Sequence, residues 1–213
     1  VQEGGDWEVR WGRDLLWHGG FEDEGADLWD VNTADEWLDD TVALAGARSL
    51  ALRRAWDDGD QTGTDLEKHL PCDPSREHTA LAWVRGENAP QARVMTRFYG
   101  SRYTENPLSS TDTADPVTGD LDWTRQWRDL DTPHEAIYFE LRCGAWPPSS
   151  GEGTAWFDQL AMIEWEEWRP AGDNAVPSPS NHRFVQVRRA GSDTAPATLV
   201  WRETHYGDVA TPV

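Results

Sequence analysis

The sequence predicts an all-β protein: a jelly-roll β-sandwich with a C-terminal β-hairpin extension. Three observations carry that expectation. About eight short segments alternate apolar and polar positions and are rich in β-branched and aromatic residues. Clusters of Gly, Pro, Asp and Asn punctuate them at turn positions. No stretch shows the apolar period of an amphipathic helix. Many short strands with regular turn signals read as a sandwich or jelly roll. With 213 residues, the chain has room for one such domain and an appendage.

Taken in order, Trp7, Val9 and Trp11 alternate and predict a short first strand. The stretch from Phe21 to Asp40 is dense in acidic residues and poor in strand formers, so it reads as a loop. Its Trp29 and Trp37 either cap the edge of the sandwich or stack on a ligand. Strands are expected at Arg48–Arg54, Thr64–Leu70, His78–Arg85, Ala92–Gly100, Trp123–Leu130 and Glu135–Cys143. Turns are expected at Asp57-Asp58-Gly59-Asp60, Pro71–Arg76 and Gly86–Pro90, and a long loop over Ser101–Asp122. Three prolines, two serines and a Gly-Asp-Asn mark Arg169–Ser180 as a linker. Arg183–Arg189 and Thr198–His205 then form a hairpin around the turn Ala190–Pro196. An isolated hairpin is marginal in water. This one must dock on the sandwich, or on a neighbouring domain or subunit. The expected organisation is therefore a sandwich domain over residues 1–168, a linker over 169–180 and a hairpin over 181–213.

The strand on which the rest depends is Gly153-Thr154-Ala155-Trp156-Phe157-Asp158-Gln159-Leu160-Ala161-Met162-Ile163. Ala155 and Phe157 share a face, and Leu160 and Met162 continue that face only if one residue is inserted. Asp158-Gln159 is thus predicted to be a β-bulge. A carboxylate held there among apolar neighbours needs a partner, because an unpaired buried charge is costly. A partner segment stands near the start of the chain, Leu15-Leu16-Trp17-His18-Gly19-Gly20-Phe21-Glu22.

Gly-Gly-Phe-Glu near the start, the strand Arg48-Ser49-Leu50-Ala51-Leu52 and Phe-Asp-x-Leu near the end carry a resemblance. Together they resemble the carbohydrate-binding modules of β-jelly-roll type attached to xylanases and glucanases. The resemblance spans Leu15 to Trp165. It implies a structural calcium ion tying the two motifs together, which carries over to Glu22 and Asp158, with backbone oxygens near Gly20 and Gly46. The competing reading is that Asp158 accepts hydrogen bonds from backbone amides or pairs with Arg48. Calcium prefers six to eight oxygen ligands, and two converging carboxylates would otherwise repel.

The net charge of −20, from 39 acidic and 19 basic residues, opposes nucleic acid and anionic membranes as partners, since both require positive fields. No apolar run reaches the length of a membrane span. Lys68 is the only lysine, which fits either codon bias or adaptation to high salt. The 14 tryptophans are too many for all to be fully buried, so some belong in grooves. An even count of two cysteines permits one disulfide. The expected topology puts Cys72 and Cys143 at opposite ends of a sheet, too far apart for bridging. The chain lacks a signal peptide and begins at Val1, which reads as a mature or excised piece of a larger extracellular protein.

No catalytic residue is assigned. The chain has no Gly-x-Ser-x-Gly, no His-Glu-x-x-His and no cysteine pair at zinc spacing, and its six histidines do not cluster. The stronger pattern is a sheet face. Alternation buries Ile137, Phe139 and Leu141 and turns Tyr138, Glu140 and Arg142 outward. Burying Val94 and Phe98 turns Met95, Arg97 and Tyr99 outward. Trp123–Leu130 adds either Trp123 and Trp127 or Gln126 and Arg128. Arg97, Tyr99, Trp127, Tyr138, Glu140 and Arg142 together form the expected sugar site, aromatics to stack on sugar rings and charged groups to bind hydroxyls. An ordinary solvated face with Arg–Glu cross-strand pairs is the plainer reading. The expected function is a non-catalytic carbohydrate-binding module with a structural calcium, binding a polysaccharide or glycan. The alternatives are a structural or adhesive domain for protein–protein assembly and a fragment of a polysaccharide-degrading enzyme.

Overall fold

The structure, a computed structural model, describes residues 7–16, 19–22, 28–31, 34–59, 62–65, 69–171, 182–191 and 196–200. Its strands are β1 (Trp7–Asp14), β2 (Glu36–Asp39), β3 (Ser49–Ala55), β4 (Thr62–Asp65), β5 (Leu70–Pro71), β6 (Glu77–Tyr99) and β7 (Ser109–Asp112). There follow β8 (Val117–Leu130), β9 (Tyr138–Trp146), β10 (Glu152–Trp165), β11 (Arg169–Pro170), β12 (His182–Arg189) and β13 (Ala197–Val200). The protein is an all-β jelly-roll sandwich with a C-terminal hairpin, as the alternation predicted. The pairings described among these strands are antiparallel.

The chain forms two compact units, Leu15–Met162 and a smaller one joining the segment up to Asp14 with everything from Ile163. In the larger unit β10 pairs with β3, from Glu152↔Ala55 to Phe157↔Leu50, and β2 borders β3. A second layer centres on β9, flanked by β6 on one side and by β4 and β5 on the other. Leu50, Leu52, Ala155 and Phe157 from the first layer meet Phe139, Leu141, Cys143 and Ala145 from the second in one core. Each fully buried Leu or Phe there contributes about 1.5–3 kcal/mol.

β6 is hydrogen-bonded to both β10 and β9, and it runs antiparallel to β8 and then β7 along its length. Before the bend its inward residues are Ala80, Ala82 and Val84, and after it Ala92, Val94 and Phe98. The same alternation resumes after the bend, although the register with β8 shifts repeatedly between Val84 and Ala92. Asn88 occupies the left-handed region there, φ 43°, and its amide donates to the Ser150 and Glu152 carbonyls at 3.0 and 2.9 Å. Bulges bend a strand and let it serve two layers.

Several element boundaries differ from the sequence reading. Gly86–Pro90 is the bend within β6 rather than a turn that ends a strand. Ser101–Asp122 contains β7 and the start of β8, polar strands held by pairing with β6 rather than by apolar alternation. β2 lies within Phe21–Asp40. Thr64–Leu70 is represented by β4 and β5, with residues 66–68 outside the described set. Ile137 is 46% exposed and Ala136 is buried in its place, because β9 begins at Tyr138. The bulge at Asp158–Gln159 is present: Gln159 has φ 49°, and Phe157 and Leu160 both reach the core. No disulfide joins the two cysteines; Cys72 sits beside Ala136 and Ile137, and Cys143 far along β9 opposite Thr64. Trp29 is buried against Phe21, which makes it a cap for the core, while Trp37 lies beside Arg53.

The smaller unit groups the first strand with the segments that follow Met162, a division different from the expected one at residue 168. β1 pairs with the end of β10, with β11, and with β12 from Trp7↔Arg189 to Arg13↔His182; β13 extends β12. The first strand therefore groups with the tail, because the hairpin provides its ladder partner. Arg10 is buried here, its guanidinium over Trp165 and Trp168 at 4.9 and 4.6 Å from the ring centroids. Its Nε donates to Gln186 Oε1 at 2.7 Å. The expected linker beyond Ala171, and the second hairpin strand beyond Val200, lie outside the described residues.

Candidate functional site

Facing positions on paired antiparallel strands point to the same side of the sheet. The β6–β9 register sets Gln91 against Trp146, Arg93 against Gly144, Met95 against Arg142, Arg97 against Glu140 and Tyr99 against Tyr138. Ala92, Val94 and Phe98 fill the core from the alternate positions of β6, and Phe139, Leu141, Cys143 and Ala145 from those of β9. Five of the six expected site residues, Arg97, Tyr99, Tyr138, Glu140 and Arg142, thus share one outer face. Arg93, Met95 and Trp146 extend it, and Asp112 on β7 joins from the far edge opposite Met95.

Two of the five are covered rather than open. Tyr99 is only 2% exposed and Glu140 5%. The cover is His69, stacked on the Tyr99 ring at 3.8 Å between centroids and 15° between planes. Tyr99 donates its hydroxyl to Glu140 Oε2 at 2.5 Å. Arg97 Nη1 is 3.7 Å from Glu140 Oε1, and His69 Nε2 is 3.6 Å from Oε2. Burial pushes the Tyr99 phenol up to about 12, with the Glu140 carboxylate adding to the shift. Burial pulls the His69 imidazole below its ordinary value, against the raising effect of backbone groups at Ser101 and Arg102. Tyr99 and Glu140 are therefore the anchor beneath the face. Their burial leaves them little surface for the direct ligand contact expected of them.

Toward the other end, Arg93 lies over the Trp146 ring at 3.7 Å and donates from Nη1 to Asp112 Oδ2 at 2.7 Å. Arg142 reaches sideways across β4: a Cβ on Gly63 would meet its Nε at 2.7 Å. Glycine at 63 is what lets this guanidinium lie flat over the neighbouring strand. Tyr138, Arg142, Met95, Arg97, Arg93 and Trp146 are all partly exposed. The result is a half-buried strip with an aromatic ring at each end, Tyr138 and Trp146, and guanidinium groups between.

Trp127 does not belong to this strip. It faces Leu81, on the stretch of β6 that precedes the bulges between Val84 and Ala92. It stands with Trp83, Trp123 and Arg125, the last lying over its ring at 5.7 Å. The expectation that three strands contribute to one patch fails here because β6 bends from one layer toward the other.

Glu22 and Asp158 converge on a single turn. Asp158 Oδ2 accepts from the Leu44 and Ala45 amides at 2.8 and 3.1 Å, and Oδ1 from the Gln159 amide at 2.6 Å. Glu22 Oε1 accepts from Ala47 and Arg48 at 2.8 and 3.1 Å. Gly46, at φ 78°, leaves room for Glu22: a Cβ there would lie 2.1 Å from Oε1. This arrangement does not fit a calcium ion. Calcium requires a shell of oxygens, whereas amide hydrogens point at the carboxylate oxygens. Among the described residues no cluster of three or more His, Cys, Asp or Glu side chains could hold a metal. The contacts described at Asp158 are those of the amide-bound reading.

No family model matches the chain, and no curated protein matches it. Solved structures do. A structure described as Family 16 Carbohydrate Binding Module-2 aligns with TM-score 0.52 and 17% identity, over 71% of this chain and 100% of that one. The fold is shared with carbohydrate-binding modules. TmCBM61, solved in complex with beta-1,4-galactotriose, aligns with TM-score 0.50 and 15% identity, over 71% of this chain and 99% of that one. The enzymatically active domain of bacteriophage CBA120 tailspike protein 4 aligns with TM-score 0.51 and 15% identity, over 71% of this chain and 21% of that one. At these identities the likeness concerns the sandwich itself; function must be argued from the site.

The sequence reading omitted His69, Arg93, Asp112 and Trp146. Arg93 lies inside the expected strand Ala92–Gly100, two positions before Met95 in its alternation, and Trp146 follows from continuing the other alternation three residues beyond Cys143. His69 and Asp112 had no such signal, because they lie in short strands or connections defined only by pairing.

Proposed function

We propose that this chain is a non-catalytic carbohydrate-binding module of a secreted or surface protein, taking a polysaccharide or glycan along the outer face of β6 and β9. The observation that carries the reading is the strip itself. Tyr138 and Trp146 stand at opposite ends of one strand face, with Arg142 between them and Arg93, Met95 and Arg97 alongside. Aromatic rings offer stacking area at little cost in side-chain entropy. Charged donors make stronger hydrogen bonds to hydroxyls than neutral ones. The shared fold with Family 16 Carbohydrate Binding Module-2 and with the galactotriose-bound TmCBM61 supports it.

A rigid base supports it further. His69, Tyr99 and Glu140 lock beneath the face, and the sheet backbone fixes the spacing of the rings, so little ordering remains when a ligand arrives. The test is calorimetric titration of wild type and Tyr138→Ala against soluble β-glucans, xylans, galactans and pectic fragments. Binding by wild type, a loss of about tenfold or more in the variant, and unchanged melting are expected. Absence of binding to every glycan would sink the reading and favour an assembly domain.

A further inference from the structure

Resting on that carbohydrate reading, we propose that the ligand is anionic: a glycan bearing uronic-acid carboxylates, received by the arginines of the β6–β9 face. Arg93 and Arg97 flank Met95 on one face of β6, and Arg142 faces Met95 from β9. Same-face neighbours along a strand lie about 7 Å apart, and facing residues on paired strands about 5 Å. Three guanidinium stems therefore surround one methionine within the breadth of a few sugar atoms. This clustering runs against the composition, which has 39 acidic residues to 19 basic.

The face is rich in donors and poor in acceptors. A neutral sugar offers hydroxyls that both donate and accept, and it binds best where both partners wait. Here Glu140 and Asp112 are already committed, and Asp65 of β4 stands opposite Arg142 in the ladder. Glu140 takes the Tyr99 hydroxyl, and Asp112 takes Arg93 Nη1. Arg93 uses Nη1 on Asp112, and Arg97 pairs with Glu140 at 3.7 Å and contacts the Tyr99 hydroxyl. A guanidinium carries five N–H donors, so Arg93 and Arg97 keep donors beyond these contacts, and the acceptor-only group that matches a guanidinium fork in geometry and charge is a carboxylate. Arg93 and Arg97 have only 21% and 24% of their side-chain surfaces exposed, so an anion meeting them is less screened than at an open surface.

The experiment titrates the full chain with oligogalacturonate and with aldouronic xylo-oligosaccharides. Each is matched to its fully methyl-esterified form, with neutral xylo- and gluco-oligosaccharides alongside. The free acids should bind about tenfold or more tighter than their esters, with an advantage that shrinks as salt rises. Arg97→Gln and Arg93→Gln should each reduce that advantage, and Arg97→Lys should recover part of it; thermal melts confirm that the variants are folded. Equal binding of acid and ester, or binding of neutral oligosaccharides alone, overturns the anionic inference and leaves the carbohydrate reading intact. Binding of no sugar overturns both.

Discussion

Tyr99 lies flat beneath His69, ring centroids 3.8 Å apart, and donates its hydroxyl to the buried Glu140. This pairing ties the short β4–β5 edge to the centre of the β6–β9 sheet, so the outer strip rests on a packed aromatic base. The phenol titrates near 12, raised above 10 by burial. A group with a raised folded pKa contributes stability that is complete below its unfolded pKa and is lost as pH rises through the folded one. Stability from Tyr99 should thus be full below pH 10 and fall between 10 and about 12. Tyr99→Phe should remove that alkaline loss and cost about 1–2 kcal/mol at neutral pH, since Glu140 loses its donor. Urea melts from neutral to alkaline pH read both effects, and identical alkaline profiles for wild type and variant would refute the assignment.

Asp158 carries the opposite lesson for a carboxylate. It is fully buried, and desolvation raises its pKa from 3.8 to about 6 despite the Ala45, Gln159 and Leu44 amides that oppose the shift. Because the folded value lies above the unfolded one, its contribution is greatest below about pH 4 and lost as pH rises through about 6. Wild type should therefore gain on Asp158→Asn as pH falls from 7 toward 5, by about 1–1.5 kcal/mol. A difference that is flat over that range would show the carboxylate to be better solvated than its burial implies.

The same turn answers the calcium question by experiment. With Glu22 and Asp158 both accepting from amides, neither calcium nor a chelator should move the melting temperature of the full chain. A site assembled only in the folded state would stabilise it by mass action. A rise with calcium would mean that the turn from Val42 to Arg48 rearranges to present oxygens.

How far the sequence revealed these features depended on whether local alternation was enough. Phe157 and Leu160 could be assigned to one face only through a bulge, and the bulge at Gln159 is there. Arg97, Tyr99, Tyr138, Glu140 and Arg142 came out on one face because two strands alternate without interruption. Trp127 was misplaced because it pairs with the part of β6 that precedes the bend between Val84 and Ala92, where Asn88 is held by carbonyls of a distant segment. The burial of Tyr99 was hidden because its cover, His69, precedes a two-residue strand that exists only by pairing with β9. β7 was read as loop for the same reason: Ser109–Asp112 has no apolar pattern, and its ladder comes from β6.

Gly19 offers a sharp test of the packing between the two motif segments. A Cβ on it would lie 1.8 Å from the Leu160 carbonyl oxygen, while the Leu160 amide donates to the Gly19 carbonyl at 2.8 Å. The hydrogen bond prevents the two backbones from separating, so the clash cannot be relieved by a rotamer. Gly19→Ala should cost about 2–4 kcal/mol, and Gly59→Ala, with open space around it, should be close to neutral. Comparable losses in chemical denaturation would refute the close approach.

The last prediction concerns Arg10, which ties the tail hairpin into its unit. Its guanidinium lies over Trp165 and Trp168 and its Nε reaches Gln186, so one side chain on β1 connects the end of β10 with β12. Arg188 covers Trp168 at 4.0 Å and donates to Glu8 at 2.7 Å, giving the same ring a second cation. Cation–π contacts are worth about 0.5–2 kcal/mol each, and a buried charge-assisted hydrogen bond about 1.5–3. Arg10→Ala removes two of the former and one of the latter, and leaves Gln186 buried without that donor. The unit should be destabilised by about 2–4 kcal/mol, well below the sum because such contacts are not additive. Arg10→Lys keeps the charge but loses the flat stacking surface and the Nε geometry, so it should recover only part of the loss. Limited proteolysis reads this directly: cleavage within 182–200 should accelerate in Arg10→Ala, less so in Arg10→Lys, while cleavage within 69–162 stays at the wild-type rate. Uniform acceleration across the chain would show that the two units unfold as one, and an unchanged pattern would show that strand pairing alone holds the hairpin.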